Sequence, residues 1–267
     1  MQREGHVTAG GHRLEYRLLP GDGTRGRPTL VFLHQGLGCI GMWRDFPAQV
    51  VERTGCPALV YSRYGYGGSE VVREPRPTDF MIVEGRDVLP ELLVALGLDD
   101  VLLVGHSDGA TVALAYLAAG HPARAGIVVA PHVFDEARTL DAIVDHAAAW
   151  GTDGLRERLG RYHADVDAMF RSWADVWRLP AMRGWTMVPS LAGVRVPLLA
   201  IQGEGDTHGT MAQIDAIAQA SGGPVRVEKL ADCGHDPFRD QAARTLDLCA
   251  AFIAVNGAAR APAGSMQ

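Results

Sequence analysis

Along the chain, short apolar runs rich in β-branched residues alternate with longer stretches in which apolar residues recur every three to four positions. The first kind predicts strands buried on both faces and the second amphipathic helices, an alternation that builds a mostly parallel sheet covered by helices on either side. The order begins with His6 to Ala9 and Arg13 to Leu19, which flank Gly10-Gly11 and read as an antiparallel hairpin. Strands are then predicted over Thr29 to His34, Ala58 to Ser62, Val101 to His106 and Ala125 to Ala130. Helices are predicted between them, over Met42 to Arg53, Asp79 to Leu96 and Thr111 to Ala119. From Pro131 to about Pro197 the strand signal stops, and three helical stretches follow: Asp135 to Trp150, Gly154 to His163 and Asp165 to Arg178. The alternation then resumes through Val196 to Gln202, Met211 to Ala220, Val225 to Leu230 and Phe238 to Val255. This pattern divides the chain into a core over 1–131 and 197–256, a helical insertion over 132–196, and an Ala-, Gly- and Pro-rich flexible tail over 257–267.

Composition narrows the class. A chain of 267 residues, 47% of them hydrophobic, can bury one large core. Its net charge of −6 comes from 31 acids and 25 bases spread without long blocks. That argues against a nucleic-acid or anionic-membrane surface and for a small-molecule partner. The N-terminal residues lack an apolar signal region and the longest apolar stretch is too short to span a bilayer, so a cytoplasmic protein is expected, as a monomer or homodimer. Cys39, Cys56, Cys233 and Cys249 lie far apart without metal-ligand spacing, so free buried thiols are expected and no metal site.

The candidate chemistry sits where strands end. Gly105-His106-Ser107-Asp108-Gly109 follows an apolar strand and opens a helix, the context in which a serine is held on a sharp, strained turn. The flanking glycines leave room where a Cβ would collide with the neighbouring strand and helix. A serine hydroxyl needs a base, and the base needs a third group to fix its tautomer. Asp206 follows the strand ending at Gln202 and Gly203, and His235 follows the strand ending at Leu230. All three therefore fall outside the carboxyl ends of parallel strands, where sites assemble in open α/β sheets. Glu204 and Asp232 are the competing acids. An oxyanion formed at Ser107 needs two backbone N–H groups. Asp108 offers one, and the loop His34-Gln35-Gly36-Leu37-Gly38 offers the other, from Gly36 with Leu37 as the next choice.

These pieces, with the loop Ser62-Arg63-Tyr64-Gly65-Tyr66-Gly67-Gly68-Ser69, resemble the α/β-hydrolase fold family over nearly the whole chain. The resemblance implies an eight-stranded, mostly parallel sheet flanked by helices, a helical cap, a Ser-His-Asp triad of Ser107, His235 and Asp206, and no cofactor. Three positions depart from the family pattern. Gln35 stands where glycine usually follows the histidine, Ser62 where an aspartate commonly opens the loop, and Asp108 where glutamine, methionine or leucine is more familiar. A serine nucleophile sets the chain apart from haloalkane dehalogenase and epoxide hydrolase relatives, which use aspartate.

The insertion is rich in aromatic residues, and Trp150, Trp173 and Trp177 are candidates to line an apolar pocket, alongside packing roles within the insertion. His132 and His34 are candidates for substrate contact, with structural roles as the alternative. Arg161, Arg171 and Arg178 could pair with a substrate carboxylate or remain solvated. The reading is a hydrolase acting on an ester, lactone or thioester of a small, partly apolar molecule through an acyl-enzyme on Ser107. The alternatives are hydrolysis of a carbon–carbon bond in a ring-fission product, a lyase, and a ligand-binding member of the fold.

Overall fold

The computed structural model describes residues 2–258, so the predicted tail lies outside the described residues from position 259 onward. Eight strands form one sheet: β1 (Arg3–Ala9), β2 (His12–Leu19), β3 (Thr29–Leu33), β4 (Ala58–Tyr61), β5 (Val101–His106), β6 (Gly126–Val129), β7 (Leu198–Gly203) and β8 (Val225–Leu230). Their order across the sheet is β1-β2-β4-β3-β5-β6-β7-β8. β2 pairs antiparallel with both β1 and β4, and all pairings from β4 to β8 are parallel.

The central strands are apolar at every position because successive side chains enter opposite helical layers. Leu30, Phe32, Leu102, Val104, Leu199 and Ile201 pack into one buried cluster, and their alternates Val31, Leu33, Leu103, Leu198 and Ala200 into the other. The first layer is built by α1 (Phe46–Thr54) and the C-terminal helix. The second is built by α2 (Phe80–Val83), α3 (Leu89–Leu96) and α4 (Asp108–Ala118). Polar residues return at the edge: β8 carries Arg226, Glu228 and Lys229, which discourages pairing with another chain.

Between β6 and β7 come α5 (Ala137–Ala149), α6 (Leu155–Leu159) and α7 (Val166–Arg178). Among the described residues, strand pairing in that interval is a single bridge, Phe134 to Thr186. The remaining helices are α8 (Ala212–Ala220), α9 (Pro237–Asp240) and α10 (Ala242–Asn256). Among the described residues no helix is long and apolar enough to cross a membrane. All four cysteines are buried and free.

Three helices expected to be continuous are interrupted. The stretch read as Met42 to Arg53 is a 3-10 turn over Ile40–Trp43, then Arg44 at φ 50°, then α1. The stretch 79–96 contains a π turn over Glu84–Val88. Pro90 has no N–H for the carbonyl of Arg86, and that carbonyl accepts from His121 Nε2 at 2.7 Å instead. The last helix breaks at Gln241, whose side chain donates to the Ala231 carbonyl.

Candidate active site

Ser107 stands between β5 and α4 at φ 53° and ψ −121°, a sparsely populated conformation for a residue with a side chain. Its N–H donates to the Val129 carbonyl at 2.9 Å, and its own carbonyl accepts from Ala110 and Thr111. The elbow is thus held by β6 on one side and by the first turn of α4 on the other.

The loops after β7 and β8 are stitched together: Glu204 N–H donates to Leu230 and Gly205 N–H to Cys233. That stitching carries Asp206 to His235. His235 Nδ1 lies 2.9 and 2.8 Å from the two Asp206 oxygens, and His235 Nε2 lies 3.0 Å from Ser107 Oγ. An ionised carboxylate only accepts, so Nδ1 carries the proton and Nε2 is left to accept from the Ser107 hydroxyl. The competing acids are elsewhere: Glu204 and Asp232 are exposed, whereas Asp206 is buried. Burial works against the Asp206 charge, but the His235 hydrogen bond and charge and the His208 N–H outweigh it and hold its carboxyl at about 2.

A cavity of about 200 Å³ opens at Ser107. The sheet side contributes Gly36, Leu37, Asp108, His132, His208 and His235. The helices after β6 contribute Thr139, Ile143 and His146 from α5, Leu155 and Leu159 from α6, and Trp173 and Trp177 from α7. The N–H groups of Gly36 and Asp108 donate to nothing among the described residues. Gly36 is hemmed in: a Cβ there would fall 2.2 Å from Trp173 Nε1 and 2.9 Å from Asp108 Oδ2. Trp173 Nε1 donates to that same Asp108 oxygen at 3.1 Å, tying α7 to the elbow. Burial raises the Asp108 carboxyl, with Arg63, the Trp173 bond and Arg76 acting in the opposite sense.

Two of the residues expected at the pocket do not line it. Trp150 stacks on Phe170 at 3.7 Å and donates to Asp167 at 3.0 Å, so it packs the helical segment together. His34 bonds the Gln35 carbonyl through Nδ1 and accepts from Arg63 N–H through Nε2, a role in joining two loops. Trp173, Trp177 and His132 do reach the cavity.

His132 comes closer to the chemistry than its sequence position suggests, with Nε2 3.4 Å from Ser107 Oγ. Thr111 Oγ1 fixes its backbone by donating to the His132 carbonyl. Burial, then the charge of His235, pushes the His132 imidazole down to about 3, so it is neutral, with one ring nitrogen a donor and the other an acceptor. His106 Nε2 donates to the His235 carbonyl at 2.8 Å and anchors that loop. His208, also depressed by burial and by His235, to about 4, and His146 stacked on it at 5.7 Å complete the rim. Sequence reading passed over His106, His146 and His208. The available signal was position alone: His106 precedes the serine and His208 lies two residues beyond Asp206.

Asp206, His208 and His235 present donor atoms within 4.8 Å of one another, a spacing that could hold a metal ion. The Asp206 oxygens, however, already accept from His235, His208 N–H and Gln202. A cation there would have to break the Asp206–His235 pair.

Glu15 of β2 explains how the loop after β4 is anchored with Ser62 in place of an acid. Its carboxylate accepts from Ser62 Oγ and Gly68 N–H, both at 2.9 Å, while Ser62 Oγ accepts from Ile40 N–H. His163 then links that loop to the one bearing Gly36, with Nδ1 accepting from Gly67 and Nε2 donating to Leu37.

The depressed histidines have a consequence for stability. Below the unfolded histidine value of about 6.5 the denatured chain takes up protons that native His132 and His208 refuse until about 3 and about 4. Stability therefore falls as pH is lowered from about 6.5 toward about 4, and Asp206 adds a loss in the same direction below the usual carboxylate range. Thermal unfolding at pH 7 and at pH about 4.5 checks this, with His208→Gln expected to flatten the dependence. An unchanged melting temperature across the window would show that these imidazoles are not held neutral.

With this geometry in place, comparison with known proteins decides the family. The sequence profile of the alpha/beta hydrolase family matches residues 30–248. The chain belongs to that family. A proline iminopeptidase from Clostridioides difficile (strain 630) is 33% identical over 113 residues, a match spanning 42% of this chain and 37% of that protein. The enol-lactonase from Burkholderia xenovorans LB400 superposes with a TM-score of 0.73 at 20% identity, covering 93% of this chain and 99% of the other. An esterase from Exiguobacterium antarcticum gives 0.73 at 18% identity, covering 94% and 99%. The two structural likenesses show the fold, and the chain spans little more than a third of the length of the curated relative it matches.

Proposed function

We propose that the protein is a serine hydrolase that cleaves an ester, lactone or thioester of a small, partly apolar molecule, with every reacting group supplied by the chain. The observation that carries this reading is the hydrogen-bonded series Asp206–His235–Ser107 ending in a cavity beside two uncommitted backbone N–H groups. His235 Nε2 takes the Ser107 proton as Oγ attacks the substrate carbonyl, and Asp206 stabilises the resulting imidazolium. The oxyanion is received by the N–H groups of Gly36 and Asp108, the latter at the N-terminus of α4 where the helix dipole adds to the effect. The imidazolium then protonates the leaving group. Water, deprotonated by the same histidine, releases the acid and restores Ser107. In this reading residues 132–196 act as a cap that contributes the apolar wall of the chamber.

The test is a fluorophosphonate probe followed by mass spectrometry of the Ser107 peptide, together with turnover of 4-nitrophenyl esters, lactones and thioesters. Labelling and turnover of at least one class are expected. A protein that neither labels nor turns over any class would be a binding module, and turnover of a carbon–carbon substrate without a trapped acyl group would point away from this mechanism.

One observation favours a second reading, hydrolysis of an aminoacyl amide. Asp108 is buried in the chamber wall, and its Oδ1 has no hydrogen-bond partner among the described residues, an environment suited to an ammonium group next to the scissile carbonyl. The partial match to a proline iminopeptidase agrees with it. Release of 4-nitroaniline from aminoacyl 4-nitroanilides, lost when the amine is acetylated, would establish this reading over the first.

A further inference from the structure

A second cavity, of about 630 Å³, adjoins the chamber at Ser107. The two share Gln35, Met42, Leu155 and Leu159 in their linings, so they lie side by side. Their linings differ in kind. The inner chamber is walled by Trp173, Trp177, Ile143 and leucines, whereas the outer one is lined by four exposed arginines, Arg44, Arg158, Arg161 and Arg239, against two acidic residues, Asp45 and Asp236. A cationic border stands out in a chain whose net charge is −6.

Two of the four arginines are already engaged. Arg239 lies 3.4 Å from Asp240, and Arg158 Nη1 donates to the Asp153 carbonyl. The side chains of Arg44 and Arg161 have no ion pair or hydrogen bond among the described residues. Arg44 has a further peculiarity: its backbone sits at φ 50° and ψ −128°, nearly the conformation of Ser107 at φ 53° and ψ −121°. Strained backbone at a residue with a side chain persists where the surroundings enforce it, and such positions concentrate at functional sites. Arg44 stands at the end of a 3-10 turn and lines the same cavity as Arg158 of α6 and Arg161, which follows it.

We infer that the outer cavity binds an anionic group, a phosphate or carboxylate, carried by the same substrate whose acyl carbon reaches Ser107. The inference rests on the hydrolase reading and specifies its substrate as a conjugate: a small apolar part for the inner chamber and an anionic part held by Arg44 and Arg161. Charge in the outer cavity then acts on substrate capture rather than on bond cleavage, because none of these arginines touches the reacting atoms.

Calorimetric titration of the Ser107→Ala protein reads binding without turnover. Two ligand pairs differ by the anionic group itself: 4′-phosphopantetheine against pantetheine, and glutarate against glutaramide. At least one anionic member is expected to bind about tenfold more tightly than its neutral counterpart in about 20 mM salt, with the gap closing in about 300 mM salt. The pair that shows the effect tells phosphate from carboxylate. Arg161→Gln and Arg44→Gly are each expected to weaken the anion by about three-fold or more and leave the neutral ligand unchanged. Arg44→Gly also relieves the backbone strain, so its melting temperature should not fall, and loss of binding there is not loss of fold. Equal affinities within both pairs, or anion binding indifferent to both substitutions, would overturn the inference. Fluorophosphonate labelling of the wild-type protein separates the two claims: anion binding without labelling sinks the hydrolase reading alone.

Discussion

Ser107→Ala and His235→Ala are each expected to lower turnover by about a thousand-fold or more while the protein remains folded. The size follows from what each change removes. Without Oγ there is no atom to carry the acyl group, and without the imidazole the hydroxyl keeps its proton and the leaving group receives none. The two should not multiply. Because Ser107, His235 and Asp206 act as one unit, the double variant is expected to lose little more than either single one, leaving the residual assistance of the Gly36 and Asp108 N–H groups. Asp206→Asn tests the third member: it keeps the shape but lets the imidazole adopt the wrong tautomer, and a loss of several thousand-fold, about the same order, is expected. Single-turnover kinetics with a 4-nitrophenyl ester, paired with circular dichroism, would measure all four. A loss of less than about ten-fold on removing Ser107 would mean that the chemistry runs through another group. His132, 3.4 Å away, would be the first to examine.

How much of this could be read from residues alone depends on where the information resides. The strands were legible because each central one is covered on both faces, so burial writes itself as an uninterrupted apolar run such as Val101 to Val104. The helix breaks were not. Arg44, the π turn at Glu84–Val88 and Gln241 leave the apolar spacing almost intact, and their causes are a missing N–H at Pro90 or a side chain reaching a distant carbonyl. Ser107, Asp206 and His235 could be picked out because each follows a strand at the same sheet edge, and the structure brings those three together. The supporting residues depend on partners far away in the chain. His106 bonds the carbonyl of residue 235, His163 joins the loops holding Gly67 and Leu37, and Glu15 takes up an anchoring role expected of position 62. The tryptophans show the limit most clearly. Trp150 and Trp173 look alike in sequence, yet one closes the packing within the helices and the other donates to Asp108 at the edge of the chamber. Only their partners in the fold, Asp167 for one and Asp108 for the other, distinguish them.

Gly109→Ala should be the most damaging conservative change in the molecule, for stability and activity together. α4 approaches the end of β3 so closely that a Cβ at 109 would lie 2.0 Å from the Leu33 carbonyl oxygen, 2.4 Å from its carbon and 2.6 Å from the His34 oxygen. All three are backbone atoms, so no rotamer change can relieve the contact. Gly105 faces the mirror-image constraint, with a notional Cβ 2.4 Å from the Gly109 oxygen and 2.6 Å from the Ala110 Cα. Strand β5, strand β3 and helix α4 therefore meet without side chains between them, and the only accommodation is for α4 to move outward. Overpacking of ordinary cores costs about 1–3 kcal/mol, and a backbone clash belongs at or above the top of that range. At about 3 kcal/mol the melting temperature would drop by about 6–12 °C. Gly120→Ala supplies the comparison. That glycine has φ +84° but nothing within 4 Å, so its substitution costs only the left-handed backbone preference, about 1–2 kcal/mol. Activity separates the two further. An outward shift of α4 carries Ser107 away from His235 Nε2 and the Asp108 N–H away from the Gly36 N–H, whereas a change at 120, beyond the far end of the helix, leaves the site in place. Thermal unfolding and ester turnover of both variants would decide the matter, and a Gly109→Ala protein as stable and active as the Gly120→Ala one would show that the elbow tolerates a separation this packing does not permit.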